Sequence, residues 1–220
     1  YADLQRRRID YVFVGYDEEG NPSEQEVVLA FFNPKFGLFH MLNDNQAIYA
    51  SFSVANKEPN RNDYVESTPN SRPEYEALYD TEIGYKQNGD KLILGVNFYQ
   101  MIYKNQLALT GEINDVGAST RTNIDESFRR GIEIEATYKL SDKISWGGNM
   151  TLSENKIVSH TAYIDNWDNG GQNKVDYENT DLAFSPNLIW ASNINYKLGS
   201  NTSIDLISKY VGEQFIDNTS

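Results

Sequence analysis

Residues 127–153 read SFRRGIEIEATYKLSDKISWGGNMTLS, and the alternation within this stretch decides the fold. In its first arm every second residue from 132 to 140 is apolar, whereas Glu133 and Glu135 lie between them. Successive side chains of a β-strand point to opposite faces, so this period of two predicts a strand. After a polar break at 141–143 a second arm repeats the pattern. Each arm supplies roughly the 9–11 residues with which a tilted strand crosses a bilayer.

The alternation leaves open which face of this hairpin meets water. A soluble β-sandwich would bury the isoleucines, whereas a membrane β-barrel would turn them to lipid and the polar residues to a wet lumen. In the barrel interpretation the residues predicted to face the lumen are Glu133, Glu135, Asn149 and Thr151. The two glutamates then provide lumen polarity and are not read as a catalytic carboxylate pair.

The composition of the 220 residues excludes several classes of protein. A formal net charge of −13 argues against a nucleic-acid partner, which requires a basic face. The absence of cysteine excludes a disulfide framework and a thiolate metal site. The longest apolar run, 27–32, is too short for a transmembrane helix. The chain has two histidines, His40 and His160, and the sequence around them contains no nucleophile elbow. No catalytic site is therefore predicted, and no metal site either.

The predicted connections alternate between short and long. We expect about nine strands, joined by short turns at one end of the sheet and by long loops at the other, as in outer-membrane barrels. The short turns are centred near residues 44, 89, 142 and 200, and the long loops near 20, 66, 115 and 168. This places the short turns on the periplasmic side and the long loops outside the cell.

A Tyr-Lys pair precedes three of the short turns. The tyrosines are Tyr85, Tyr138 and Tyr196, and each is in phase with the apolar face of its strand. Tyrosine rings are enriched at the headgroup level of membranes, where neighbouring lysines can reach water. We therefore expect the three tyrosines to lie at one common depth at the periplasmic membrane interface.

A longer segment resembles a known family. Residues 49–85, YASFSVANKEPNRNDYVESTPNSRPEYEALYDTEIGY, are similar to the barrel of a TonB-dependent outer-membrane receptor, especially of the Bacteroidetes type. The resemblance covers nearly the whole chain, because it continues through 97–117, 127–138, 185–196 and 209–220.

This resemblance implies an all-β fold, namely an antiparallel transmembrane β-barrel fragment. Residues 1–220 would form one part of a larger barrel of about 22 strands. We expect the plug domain, the signal peptide and the closing C-terminal strand to lie outside the chain. The barrel would be embedded in outer-membrane lipid of a Gram-negative bacterium.

The resemblance also implies energised import of a scarce nutrient. A ferric siderophore or another iron complex is the first expectation, while cobalamin, haem and glycans stay open. The TonB–ExbB–ExbD system would act through the plug, no cofactor is expected, and a surface lipoprotein is a partner that the resemblance leaves open. Two alternatives remain: a soluble β-sandwich module that binds carbohydrate, and a passive porin-like barrel without energy coupling.

Ligand contacts are expected in two of the long loops. Candidates are of residue types enriched in binding hot spots, although such residues are also ordinary in exposed loops. They are Arg61, Tyr64 and Arg72 in the first loop, and Tyr163, Trp167 and Tyr177 in the second.

Overall fold

The computed structural model describes residues 1–16, 22–65, 72–113 and 119–220. These residues form ten strands and one short helix. In chain order the elements are β1 (Ala2–Tyr16), β2 (Pro22–Asn43), β3 (Gln46–Lys57), α1 (Arg61–Val65), β4 (Glu76–Asn88), β5 (Leu92–Ile113), β6 (Ser119–Lys139), β7 (Ile144–Asp165), β8 (Gln172–Asp181), β9 (Leu188–Lys197) and β10 (Ser203–Val211). No helix in the described part of the chain is long and apolar enough to span a membrane.

All ten strands belong to one antiparallel up-and-down sheet. Nine of them follow the order β1-β2-β3-β4-β5-β6-β7-β9-β10, and β8 pairs with β7 outside this path. The first half of β7 pairs with β9 up to Leu152↔Leu188, and its second half pairs with β8 from Lys156↔Asp181. Strands β8 and β9 therefore lie end to end along one edge of β7. Because β8 and β9 share one position beside β7, the sheet is nine strands wide, which agrees with the expected number of about nine.

The register of β6 and β7 confirms the two faces predicted for this hairpin. Ile132 pairs with Leu152 and Ile134 with Met150, while Glu133 pairs with Thr151 and Glu135 with Asn149. Directly paired residues lie on the same side of an antiparallel sheet. We call the side of Ile132 and Ile134 the apolar face, and the side of Glu133 and Glu135 the polar face.

The apolar face is open. Ile83, Phe98 and Leu206 lie on it and are 57%, 52% and 62% exposed. The buried apolar cluster of Ile124, Ile157 and Leu182 lies elsewhere, near the end of the sheet remote from the short turns. A soluble sandwich buries its apolar face against a second sheet, and this sheet does not, so the sandwich alternative is wrong.

The short turns lie where they were expected. Residues 44–45, 89–91, 140–143 and 198–202 connect successive strands at one end of the sheet, which we call the short-turn end.

For two of the four long loops the prediction is wrong, because strands occupy most of the residues. Strand β5 continues to Ile113 and β6 begins at Ser119, so the loop predicted near 115 is mostly a hairpin. Likewise β7 and β8 form a hairpin where the loop near 168 was predicted. The connection near 20 falls largely on 17–21, outside the described residues. The connection at 58–75, part of which is described, contains a helix in place of strand.

Candidate functional site

A hydrogen-bonded group lies on the polar face near the short-turn end. The Tyr49 hydroxyl donates to Oδ1 of Asn97 at 3.0 Å, and Nδ2 of Asn97 donates to Oε2 of Glu82 at 3.4 Å. The Lys86 ammonium lies 5.4 Å from the centre of the Tyr49 ring. Tyr49 is directly opposite Gly84, and its ring occupies the space that a Cβ at Gly84 would need. The missing Cβ lets the ring lie flat on the sheet.

The residues predicted to face the lumen continue this group across the sheet. Glu133 pairs with Asn97 and Glu135 with Gly95, and on the other side both pair with β7. Both glutamates and Asn149 are exposed, whereas Thr151 is half-buried. The structure thus brings all four predicted residues onto one polar face.

Helix α1 forms the first part of the connection between β3 and β4. Its start is capped reciprocally, since the Asp63 N–H donates to Oδ1 of Asn60 and the Asn60 N–H donates to Oδ2 of Asp63. Each bond satisfies an N–H that the helix itself leaves unpaired. Arg121 of β6 lies 3.9 Å from the Asp63 carboxylate. The cap orders the start of the helix, and the ion pair connects it to the β5–β6 hairpin.

Tyr64 anchors the same connection from within. It is 2% exposed, and its ring packs against Tyr11 and Phe13 of β1 at 6.4 and 5.4 Å between ring centres. Burial raises the pKa of the Tyr64 hydroxyl above its ordinary value. The Arg72 guanidinium lies 5.8 Å from the Tyr64 ring and donates to the carbonyl of Glu26 at 3.3 Å. Of the three predicted ligand contacts in this connection, only Arg61 and Arg72 are exposed.

Asn123 of β6 holds the end of the connection. Its Oδ1 accepts from the Glu74 N–H at 2.8 Å, and its Nδ2 donates to the carbonyls of Glu74 at 3.0 Å and Asn105 at 2.7 Å. Strands β3 and β4 are 12 and 13 residues long, against 22 for β2 and β5. The connection therefore fills the gap that two short strands leave between taller hairpins.

A cleft of about 460 Å³ opens between the β5–β6 and β7–β8 hairpins. The pairing of β6 with β7 ends at Ser127↔Ile157, and beyond this point the two hairpins separate. The buried residues Ile124, Ile157 and Leu182 pack together at this junction. The residues lining the cleft are Thr110, Thr122, Asn123, Ile124, Asp125, Ser159, His160, Thr161, Tyr163, Asp176, Tyr177 and Glu178.

The tips of the two hairpins are tied together. Nε2 of Gln172 donates to the Gly111 carbonyl at 2.7 Å and to Oδ1 of Asp165 at 3.0 Å, and its Oε1 accepts from the Ile113 N–H at 3.3 Å. Gly111 has φ 84°, and a Cβ there would overlap the Tyr163 carbonyl oxygen. The close approach of the hairpins therefore requires glycine at this position.

An aromatic pair lies inside the cleft. The rings of His160 and Tyr177 stack at 5.6 Å between centres with an angle of 18°. These two residues are direct partners of β7 and β8. Burial lowers the pKa of His160 below 6.5, and within the described residues its buried Nδ1 has no hydrogen-bond partner.

The predicted residues of the second loop divide between the cleft and the solvent. Tyr163 and Tyr177 line the cleft, but they belong to strands and not to a loop. Trp167 is 91% exposed in the turn at the hairpin tip.

Sequence reasoning missed the polar residues of the cleft. They include Thr110, Thr122, Asp125, Asp176 and Glu178. The sequence did contain one signal. Asp176 and Glu178 are two residues apart in the stretch KVDYEN, and side chains two residues apart lie on the same face of a strand.

The three tyrosines predicted at the membrane interface lie near the short-turn end. Tyr138 and Tyr196 are the next-to-last residues of β6 and β9, and both are 42% exposed. Tyr85 lies two residues further from the end of its strand, β4. Counted from the ends of their strands, Tyr138 and Tyr196 thus occupy matching positions, and Tyr85 is displaced toward the middle of the sheet.

A family model described as TonB dependent receptor-like, beta-barrel matches residues 8–220. No curated protein matches the chain significantly.

Solved structures provide further similarity in fold. The siderophore receptor PiuA from Acinetobacter baumannii superposes with a TM-score of 0.72 at 16% identity, over 96% of this chain and 30% of that one. The ferric yersiniabactin uptake receptor FyuA from Yersinia pestis gives 0.66 at 16% identity, over 99% and 32%. The copper transporter OprC gives 0.64 at 17% identity, over 87% and 28%. The chain thus spans about a third of the length of these proteins.

Proposed function

The chain belongs to the family of TonB-dependent receptor-like β-barrels, and from this premise we propose that it is part of the barrel wall of a receptor that imports a scarce nutrient. The apolar face would contact outer-membrane lipid, and the polar face would line the lumen. The exposure of Ile83, Phe98 and Leu206 is the observation that carries this proposal, because such a face is stable against lipid and unfavourable in water.

The cargo that we propose is a ferric siderophore or another iron complex. Receptors and transporters of iron complexes are among the similar structures, and OprC, of comparable similarity, is a copper transporter. The fold thus supports uptake of a scarce nutrient, whereas the residues of the binding site determine which metal complex is bound. Transport would use the TonB–ExbB–ExbD system through a plug domain, in the outer membrane of a Gram-negative bacterium. The matched family and these relatives are receptors and transporters, not enzymes.

The long hairpins would provide the ligand contacts. Strands β5, β6 and β7 have 21 or 22 residues, about twice the roughly 9–11 that cross a bilayer. Their halves remote from the short turns would therefore project outside the cell. We propose that Tyr163 and Tyr177 contact the ligand in the cleft, and that Arg61, Arg72 and Trp167 contact it from the exposed rim. Tyr64 would support them by anchoring α1.

Uptake by the full-length receptor in its host tests this function. The variant is shortened between Ser159 and Asp181, so that the β7–β8 hairpin and the cleft are lost. Radioactive iron is supplied as a ferric trihydroxamate and as a ferric tris-catecholate. We expect the unmodified receptor to take up at least one of the two complexes in a TonB-dependent manner. In the shortened variant this uptake should be lost.

The control exchanges only the turn at 199–201, at the opposite end of the sheet. Heat-modifiable migration on gels should show that the barrels of both variants are folded. Uptake that persists without TonB would indicate a passive porin, and uptake that survives the shortening would place the ligand elsewhere.

A further inference from the structure

The cleft between the hairpins has a marked charge. Three carboxylates line it, on Asp125, Asp176 and Glu178, and no Lys or Arg is among the described residues that do so. Carboxylates accept hydrogen bonds and do not donate them when ionised. Among the described residues of the lining, only the Asp176 carboxylate accepts a hydrogen bond from another lining side chain, since Thr161 donates to it at 2.7 Å. The cleft therefore offers a ligand an excess of negative acceptors.

The cations around the cleft are engaged with other groups. Lys156 pairs with Asp181 at 2.9 Å, and Lys104 pairs with Glu126. Arg121 points toward Asp63, and the Lys174 ammonium lies 5.1 Å from the centre of the Tyr163 ring. These interactions leave the three carboxylates of the lining without a basic partner among the described side chains.

The rest of the lining is uncharged and suited to hydroxyl and amide groups. Burial lowers the pKa of His160, which disfavours a positive charge on its ring in the cleft. Its stack with Tyr177 provides a flat apolar surface on one face of the β7–β8 hairpin, and Ser159 and Glu178 lie on the other face. The hydroxyls of Thr110 and Thr122 also line the cleft. The cleft therefore offers a polar neutral ligand both hydroxyl groups and an aromatic surface.

We propose that this cleft selects ligands by charge: it binds a neutral or cationic complex rich in hydroxyl and amide groups, and it repels polyanions. The inference rests on the proposed function and narrows its cargo. Among iron complexes the cleft would bind a ferric trihydroxamate with a free ammonium group and would exclude a ferric tris-catecholate. The three carboxylates are exposed, so they repel a polyanion through the summed negative potential of the cleft, and this repulsion provides the discrimination.

The charge of the cleft can be measured directly with thiol reagents, since the chain has no native cysteine. Ser159→Cys in the full-length receptor places a thiol in the lining. Its rates of reaction with a trimethylammonium and a sulfonate methanethiosulfonate are each divided by the rate with a free thiol. We expect the cationic reagent to be favoured on the order of tenfold, because the potential in an acidic cleft reaches several kT. Leu109→Cys, 58% exposed and outside the lining, is the control and should show a much smaller preference.

Neutralising the lining tests the cause. Asp125→Asn, Asp176→Asn and Glu178→Gln, made singly and together in the Ser159→Cys background, should reduce the preference stepwise. A single variant that folds is sufficient for the comparison. Asp168→Asn removes an acid of the same hairpin outside the lining and should have little effect. An equal rate for both reagents at position 159, or a preference unchanged by neutralisation, would overturn the proposed charge selection.

Protection of the thiol identifies the class of ligand. A cationic ferric trihydroxamate should slow the reaction at position 159, and an equal concentration of ferric tris-catecholate should not. Protection by the catecholate complex at least as strong as that by the hydroxamate would overturn the proposal. Such a result would leave TonB-dependent uptake intact, whereas a failure of the uptake measurement would leave the reagent preference unchanged. The two proposals can therefore fail separately.

Discussion

At the scale of single residues, Tyr49 and Gly84 show how the polar face is shaped. The two residues are directly opposed, and the ring lies in the space that any side chain at position 84 would need. The position of the ring in turn directs its hydroxyl to Asn97. Tyr99 and Gly131 are likewise directly opposed on β5 and β6, and there the hydroxyl end of the ring lies near the space of a Cβ. Tyrosines that lie flat over glycines keep the wall thin while providing hydroxyl groups.

Replacing the glycine tests this packing. Gly84→Ala should displace the Tyr49 ring and lower the free energy of unfolding by about 1–3 kcal/mol, as overpacked sites do. The measurement is urea unfolding of the full-length receptor in bilayers. Gly147→Ala is the matched control, since the nearest atom to a Cβ there is 3.7 Å away. Equal stability of the two variants would show that the ring moves without cost.

At the scale of elements, the sequence predicted the strands near the short turns and missed their outer halves. In the proposed barrel the alternation in 131–153 reflects contact of one face with lipid and of the other with water. Beyond the membrane both faces of a hairpin are wet, so the alternation disappears although the hydrogen-bonded ladder continues. Asn105, with φ 54°, also interrupts the ladder between Lys104↔Glu126 and Gln106↔Ile124. The cleft could not be predicted, because it depends on how two hairpins face one another.

The connection at 58–75 depends on Asn123. This side chain makes two hydrogen bonds to Glu74, at the end of the connection, and one to Asn105 of β5. Asn123→Ala should loosen it, since each lost hydrogen bond costs about 1 kcal/mol. We expect trypsin to cleave after Arg61 on the order of tenfold faster in the full-length receptor. Asn195→Ala removes one hydrogen bond at the other end of the sheet and should leave the rate unchanged. An unaltered rate in the Asn123 variant would show that the aromatic anchor at Tyr64 is sufficient.

The interface tyrosines offer a test of depth. Spin labels placed singly at 138 and 196 should report the same interfacial depth, because both positions are next to last in their strands. A label at 85 should lie deeper by about 5 Å, since two further residues rise about 7 Å along a tilted strand. Accessibility to oxygen and to a water-soluble nickel chelate gives the depth. A label at 138 or 196 that reads as lumenal or as mid-bilayer would show that its strand has another register.

At the scale of the whole molecule, the two faces of the sheet favour different surroundings, lipid for the apolar face and water for the polar face. The exposed apolar residues need lipid, and the group around Tyr49, Asn97 and Glu82 needs water or a polar partner. Residues beyond the bilayer are free to form the cleft and the helical connection. The proposed division of the chain into a membrane part and an outer part thus rests on the position of one apolar band near the short turns.

The most direct test is an accessibility scan along β6 in the full-length receptor in bilayers. Single spin labels at 131–137 are exposed to oxygen, which concentrates in lipid, and to a nickel chelate, which stays in water. We predict that labels at 132, 134 and 136 favour oxygen and that labels at 133 and 135 are shielded from lipid and respond to the chelate. The opposite phase, or a scan without a period of two, would contradict the assignment of the apolar face to lipid.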